Sequence, residues 1–199
     1  MIQKFFIGRQ KIYDESFKIV AYELLYRDSY NNSCEFENNK NLTFNLLNNL
    51  KKIGFDKVVN NKKIFINCTY ADLKKIIDYN VFIKKNTIIE ILETVKITKE
   101  LICILNQLKV KGYLIALDDV NNVDVINKLG KNIDIYKIDF LTTNSNERKQ
   151  LVKKIKQING NSKILAEKIS NYFEFKEAIN LKFNYFQGFF FDIPEIITN

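Results

Sequence analysis

Histidine and tryptophan are absent from this 199-residue chain, and proline and methionine occur once each. The lack of histidine excludes the most. Without an imidazole there is no Ser-His-Asp or Cys-His nucleophile system, no histidine-ligated zinc and no histidine general base. The chemistry left open belongs to carboxylates, amides, lysine and oxygen-bound metals. With one proline, six glycines, no Ser/Gly/Pro-rich tract and no shift in composition, nothing marks a linker, and a single domain over residues 1–199 is expected. The three cysteines, Cys34, Cys68 and Cys103, are odd in number and form no CxxC pair, which argues against a disulfide framework or a zinc site and for ordinary thiols. Arginine is scarce too. Of 31 basic residues only Arg9, Arg27 and Arg148 are arginine, and the rest is lysine in a chain rich in Asn and Ile. The formal charge of +8 therefore reads as composition rather than as a nucleic-acid patch, and no DNA partner is expected. Phe and Tyr fall mostly inside apolar periodic segments, so no base-stacking platform is evident. No apolar run approaches the ~18 residues of a membrane span, and Lys4 and Arg9 interrupt the start before any signal-like core develops. A soluble, cytoplasmic protein is expected.

What is present is a recurring pattern. Seven short apolar runs each end in a carboxylate, a carboxamide or lysine: Ala21-Tyr22-Glu23, Ile64-Phe65-Ile66-Asn67, Ile88-Ile89-Glu90, Ala116-Leu117-Asp118-Asp119, Tyr136-Lys137, Leu165-Ala166-Glu167 and Tyr185-Phe186-Gln187. Strand-like runs alternate with helical stretches, the signature of a mainly parallel sheet. Phe5 to Tyr13 and Phe17 to Arg27 are separated only by Asp14-Glu15-Ser16, a hairpin spacing, so the opening pair is expected to be antiparallel. Helices are expected at 42–53 (stopping at Gly54), 71–79, 99–109, 123–129, 147–158 and 172–179. The later strands are expected at 63–67, 87–93, 112–119, 133–138, 163–167 and 184–187. About eight strands result, and the expected fold is α/β: a modified TIM-type (β/α)8 barrel with an antiparallel N-terminal strand, whose active site would be built at the strand C-termini.

The two-residue strand period assigns faces. Glu23 and Arg27 share one, as do Lys137 and Asp139. Glu90 and Glu93 do not, which puts Glu93 in the following loop. Asp118 and Asp119 are adjacent, so only a bend at the strand end could turn both toward one site. Each residue has a plainer role open to it: Asp118 or Asp119 as a helix cap, Glu23 and Arg27 as a structural ion pair, Asn67 as a turn residue, Gln187 as an amide satisfying backbone. Recurrence over seven runs argues for a shared site. Carboxylates gathered at Glu23, Glu90, Asp118, Asp119 and Glu167 would repel one another unless cations neutralise them, and such an oxygen-rich set suits Mg2+ or Mn2+.

In this order and spacing the motifs resemble the EAL-domain cyclic di-GMP phosphodiesterases over almost the full length. Tyr22-Glu23-Leu24-Leu25-Tyr26-Arg27 is similar to the EAL signature, Phe65-Ile66-Asn67 to the strand ending in Asn, and Glu90-Ile91-Leu92-Glu93 to the ExxE segment. Ala116-Leu117-Asp118-Asp119, Lys137-Ile138-Asp139, Leu165-Ala166-Glu167 and Tyr185-Phe186-Gln187-Gly188-Phe189-Phe190-Phe191 match the remaining motifs in turn. Ile7-Gly8-Arg9-Gln10 and Ala166-Glu167-Lys168 look most like the EAL half of proteins that join EAL to a C-terminal HDOD domain. The chain stops just after Pro194-Glu195-Ile196-Ile197, so no HDOD partner domain is expected within it.

The resemblance implies that Glu23, Asn67, Glu90, Asp118, Asp119 and Glu167 hold one or two Mg2+ or Mn2+ ions. Lys137, Glu167, Gln187 and Asp119 would be catalytic, Arg27, Leu25 and Gln187 would meet substrate, and Glu93 would anchor a loop. It further implies hydrolysis of cyclic di-GMP to linear pGpG, a homodimer through the barrel and a regulatory protein partner. Three departures make weak or conditional activity part of the expectation. The glycine-free Val120-Asn121-Asn122-Val123-Asp124 replaces a Phe and a Gly-containing loop, Leu24 replaces the signature Ala, and Lys168 and Ser170 replace Gly and a second Glu. The alternative is a noncatalytic EAL domain acting as a cyclic di-GMP sensor or protein-interaction module, which calorimetry combined with turnover would separate from the enzyme.

Overall fold

The computed structural model describes residues 4–30, 41–79 and 86–199; Cys34 lies outside them. β1 (Phe6–Tyr13) and β2 (Ile19–Arg27) form the antiparallel hairpin, with Gln10 opposite Glu23 and Phe6 opposite Arg27. β3 (Lys63–Cys68), β4 (Thr87–Ile91), β5 (Leu114–Leu117), β6 (Ile135–Asp139), β7 (Lys163–Glu167) and β8 (Tyr185–Phe186) then follow β2 in parallel, each paired with its predecessor. β8 returns to β1 at Tyr13 and closes an eight-stranded barrel. The other half of that β1 edge, Phe6 to Arg9, is taken by a ninth strand, β9 (Glu195–Thr198), which the sequence pattern did not announce.

Helices α1 (Leu42–Ile53), α2 (Phe55–Val59), α3 (Tyr70–Tyr79), α4 (Lys99–Val110), α5 (Val123–Leu129), α6 (Ser145–Ile158) and α7 (Tyr172–Asn180) connect the strands. The abundant asparagine has a local use here, because a short side-chain oxygen satisfies the orphan N–H groups of a first turn. Asn122, Asn144 and Asn171 cap α5, α6 and α7, and Asn144 forms a full capping box with Glu147. Among the described residues no helix is long and apolar enough to cross a membrane.

Outward-facing strand residues such as Ile66, Ile89, Ile115, Tyr136 and Ile164 pack against the helices and form the main core. Inward-facing residues divide into two sets. Ile12, Ala21, Phe65, Ile88, Ala116, Ile135 and Leu165 fill the lower barrel as an apolar plug, with Tyr185 against them. Two residues further toward the mouth on the same strands stand Gln10, Glu23, Asn67, Glu90, Asp118, Lys137, Glu167 and Gln187. The strand period therefore places one polar side chain per strand on top of the plug.

Candidate active site at the barrel mouth

Lys137 is the centre of this polar set. Its side chain is 1% exposed, and its Nζ lies 2.5 Å from Glu90, 2.8 Å from Glu167, 3.0 Å from Asp118 and 3.8 Å from Glu23. Four carboxylates thus face one ammonium. Burial alone would lower the lysine's pKa, but the carboxylates outweigh it and hold the pKa well above the usual lysine range. On the acid side, burial pushes Glu90 well up and carries Glu167 to about 8, in both cases against the pull of Lys137. Asp118 is also pushed up by burial, yet the adjacent ammonium brings it below the ordinary value. The cup is short of positive charge.

Amides support the carboxylates. Asn67 Nδ2 donates to Glu23 Oε1 at 3.2 Å, while Gln187 Nε2 donates to Glu23 Oε2 at 2.8 Å and to Gln10 Oε1 at 3.0 Å. Asn67 is therefore a strand residue aimed inward rather than a turn, and Gln187 serves side chains rather than backbone. Gln10 completes the set from β1.

The bend that Asp118-Asp119 would need is present. Asp119 has φ 42°, and both carboxylates line a cavity of about 190 Å3 together with Glu23, Leu25, Lys137 and Gln187. Neither caps α5, whose cap is Asn122. No residue of the glycine-free loop from Val120 to Asp124 takes positive φ. Burial and the neighbouring Asp118 raise the Asp119 carboxyl. Glu93 is exposed, beyond the end of β4, and offers an oxygen in a cluster with Asp118 and Asp119 whose ligand atoms all lie within 4.8 Å of one another.

Arg27 occupies the same strand face as Glu23 but four residues higher, at the barrel rim, where it is 7% exposed and its Nη1 donates to the Tyr26 carbonyl at 2.8 Å. Gly8 makes room for it, since a Cβ there would stand 3.3 Å from the guanidinium carbon. Lys168, which follows Glu167 with φ 55°, bonds to the buried Asp139 and lies 3.8 Å from Asp119. Asp139 also accepts the Leu141 N–H at 2.7 Å.

The donor set fits a hard divalent cation. It consists only of oxygens, and four buried ones have no hydrogen-bond partner among the described residues: Asn67 Oδ1, Glu90 Oε2, Glu167 Oε2 and Gln187 Oε1. Such orphans are costly unless something binds them, and a cation would satisfy oxygens from several strands at once.

No protein-family model matches the chain. Among curated proteins it is 37% identical over 201 residues to the uncharacterized protein YuxH of Bacillus subtilis, covering 97% of this chain and 48% of that protein. It is 28% identical over 194 residues to the cyclic di-GMP phosphodiesterase CdgJ of Vibrio cholerae, covering 96% and 45%. The chain spans about half the length of these curated relatives. Among solved structures it superposes with a TM-score of 0.73 on the Bacillus subtilis YkuI protein, with an EAL domain, in complex with c-di-GMP and calcium, at 20% identity over 95% of this chain and 54% of that one. A standalone EAL protein from Vibrio cholerae O395 in a c-di-GMP-bound form gives 0.69 at 19% identity, covering 98% and 94%. The fold is the EAL-domain barrel. The likeness read from the sequence motifs thus extends to three dimensions.

Proposed function

We propose that the chain is an EAL-type phosphodiesterase module that hydrolyses cyclic di-GMP to linear pGpG with Mg2+ or Mn2+. The observation that carries this reading is the ring of orphaned oxygens, Asn67 Oδ1, Glu90 Oε2, Glu167 Oε2 and Gln187 Oε1, around a cup rich in carboxylates. Sequence similarity to a cyclic di-GMP phosphodiesterase supports the substrate.

Glu23, Asn67, Glu90, Asp118 and Glu167 would hold the cation. When bound, such an ion neutralises phosphate charge and lowers the pKa of its water toward ~7. The protein's own groups do the rest. Asn67 and Gln187 fix the Glu23 carboxylate, so both of its oxygens keep their direction as substrate arrives. The free Oε1 of Gln187 accepts a hydrogen from the attacking water and orients its lone pair. Lys137, held protonated by four carboxylates, supplies a positive charge at Nζ as the phosphodiester opens. Leu25 lines the wall. Arg27 at the rim clamps a phosphate oxygen.

A cytoplasmic location goes with this reading and is consistent with the free thiols Cys68 and Cys103. A homodimer and a regulatory protein partner also belong to this reading; a hollow of about 220 Å3 beside Asp119 joins Leu92, Val95 and Ile97 to Glu93, Asp118 and Asn121.

The test is turnover of cyclic di-GMP by the purified chain with Mg2+ or Mn2+, followed by chromatography of linear product, with Glu23→Ala as control. Product that depends on metal and on Glu23 is expected. A second reading, a noncatalytic module binding the same dinucleotide, is favoured by the Lys168 ammonium beside Asp119. Heat of binding with no pGpG would select it and overturn the enzymatic one.

A further inference from the structure

The two rings of carboxylates at the mouth do not stand alike toward cations. The inner ring sets four carboxylates, Glu23, Glu90, Asp118 and Glu167, against one ammonium, Lys137, and keeps unpartnered oxygens on Asn67, Glu90 and Glu167. The outer carboxylates, Asp119 and Asp139, already have that lysine: its Nζ bonds to Asp139 and lies 3.8 Å from Asp119. Asp139 is 1% exposed, so the ammonium is tied to a buried carboxylate rather than to a surface partner.

The backbone that carries Lys168 is held in place. Ile169 N–H donates to the Gln187 carbonyl at 3.0 Å, and Phe190 N–H donates to the Ile169 carbonyl at 3.0 Å. Gly188 approaches so closely that a Cβ would lie 2.2 Å from Ile169 O and 2.8 Å from the Lys168 carbonyl carbon. Clamped there with φ 55°, a conformation glycine would adopt more readily, Lys168 directs its side chain across the rim toward Asp119. Asp119 and Asp139 are two carboxylates to this one ammonium, against four to one around Lys137, so the outer pair offers a divalent ion less uncompensated charge.

We infer that Lys168 is an internal counter-ion that takes the charge role of a second divalent ion at Asp119, so that the cup loads a single ion. The inference rests on the reading of the inner ring as a divalent-cation site. It makes Lys168 a positioning and selectivity residue: a fixed charge of one replaces an exchangeable charge of two at the outer rim.

The test is Mn2+ stoichiometry on the 199-residue chain by calorimetry, with paramagnetic resonance of free and bound ion. Wild type is expected to load one ion, and Lys168→Arg also one. Lys168→Gly, which suits the local backbone, is expected to load two, the second at least about 100-fold tighter than any second ion in wild type. Adding Asp119→Asn to Lys168→Gly is expected to return the protein to one. Two ions in wild type, or one in Lys168→Gly, overturns the inference while leaving the cation site standing. No ion in any of the four proteins overturns the cation site and the inference together.

Discussion

The lower and upper halves of the barrel interior are built from the same strands and differ by a single step of the strand period, about 6.6 Å of chain. Ala21 and Glu23, Phe65 and Asn67, Ile88 and Glu90, Ala116 and Asp118, Ile135 and Lys137, and Leu165 and Glu167 are each neighbours on one inward face. Below, the apolar side chains pack against one another and release free energy by leaving water. Above, four oxygens are buried with no hydrogen-bond partner among the described residues, a state that costs free energy unless something binds them. The fold places a stabilising layer directly beneath a destabilising one, which allows a reactive set of charges to be held rigidly without contributing to the holding.

Three substitutions bear on that division. The largest effect is expected from Lys137→Ala, which removes the central ammonium: hydrolysis should fall by roughly 10²–10³, the usual span for removing one group that stabilises developing charge. Retained full activity would remove Lys137 from the mechanism and leave it a structural counter-ion. Next comes Phe65→Ala in the plug, where the side chain is 1% exposed. A loss of ~3–5 kcal/mol in denaturant unfolding is expected, with Mn2+ affinity of the folded protein unchanged. If this variant weakened Mn2+ binding as much as Glu23→Ala, the two layers would not be separable. The smallest effect belongs to the barrel's outer wall, where Arg148 pairs with Glu177 at 2.9 Å. Burial raises the Glu177 carboxyl, but hydrogen bonds from Arg148 and Ser145 lower it further, leaving it below its ordinary 4.5. Its contribution is then present above 4.5 and lost as pH falls through the folded value. Glu177→Gln should cost about 0.5–1 kcal/mol at neutral pH and nothing in strong acid, as read from thermal melts at both pH values.

Much of this was legible in the sequence because the parallel strands end where their polar residues begin. The bounds of α1, α5 and β7 coincide with the apolar periodicity, and the hairpin of β1 and β2 follows from three intervening residues. α2 was not legible: five residues between Gly54 and a polar turn are too few to show a period. β9 follows Pro194 with an Ile-Ile-Thr run whose residues are all half-buried, so it carries no alternation. In the site, Gln10 escaped notice for a topological reason. β1 runs antiparallel to its neighbours, so its inward amide sits in mid-strand rather than at a strand end. Lys168 stood out in the sequence only as a departure from a motif. Its reach to Asp119 and Asp139 depends on a left-handed backbone that residue types alone do not announce.

The division of the β1 edge between β8 and β9 also brings the two ends of the described chain together. Phe6 pairs with Thr198, and the Phe5 N–H donates to the Asn199 side chain at 2.9 Å. Entry and exit stand one interstrand spacing apart, about 5 Å. A barrel tied off in this way can be spliced into a surface loop of a host protein, or reopened elsewhere as a circular permutant, without stretching either end.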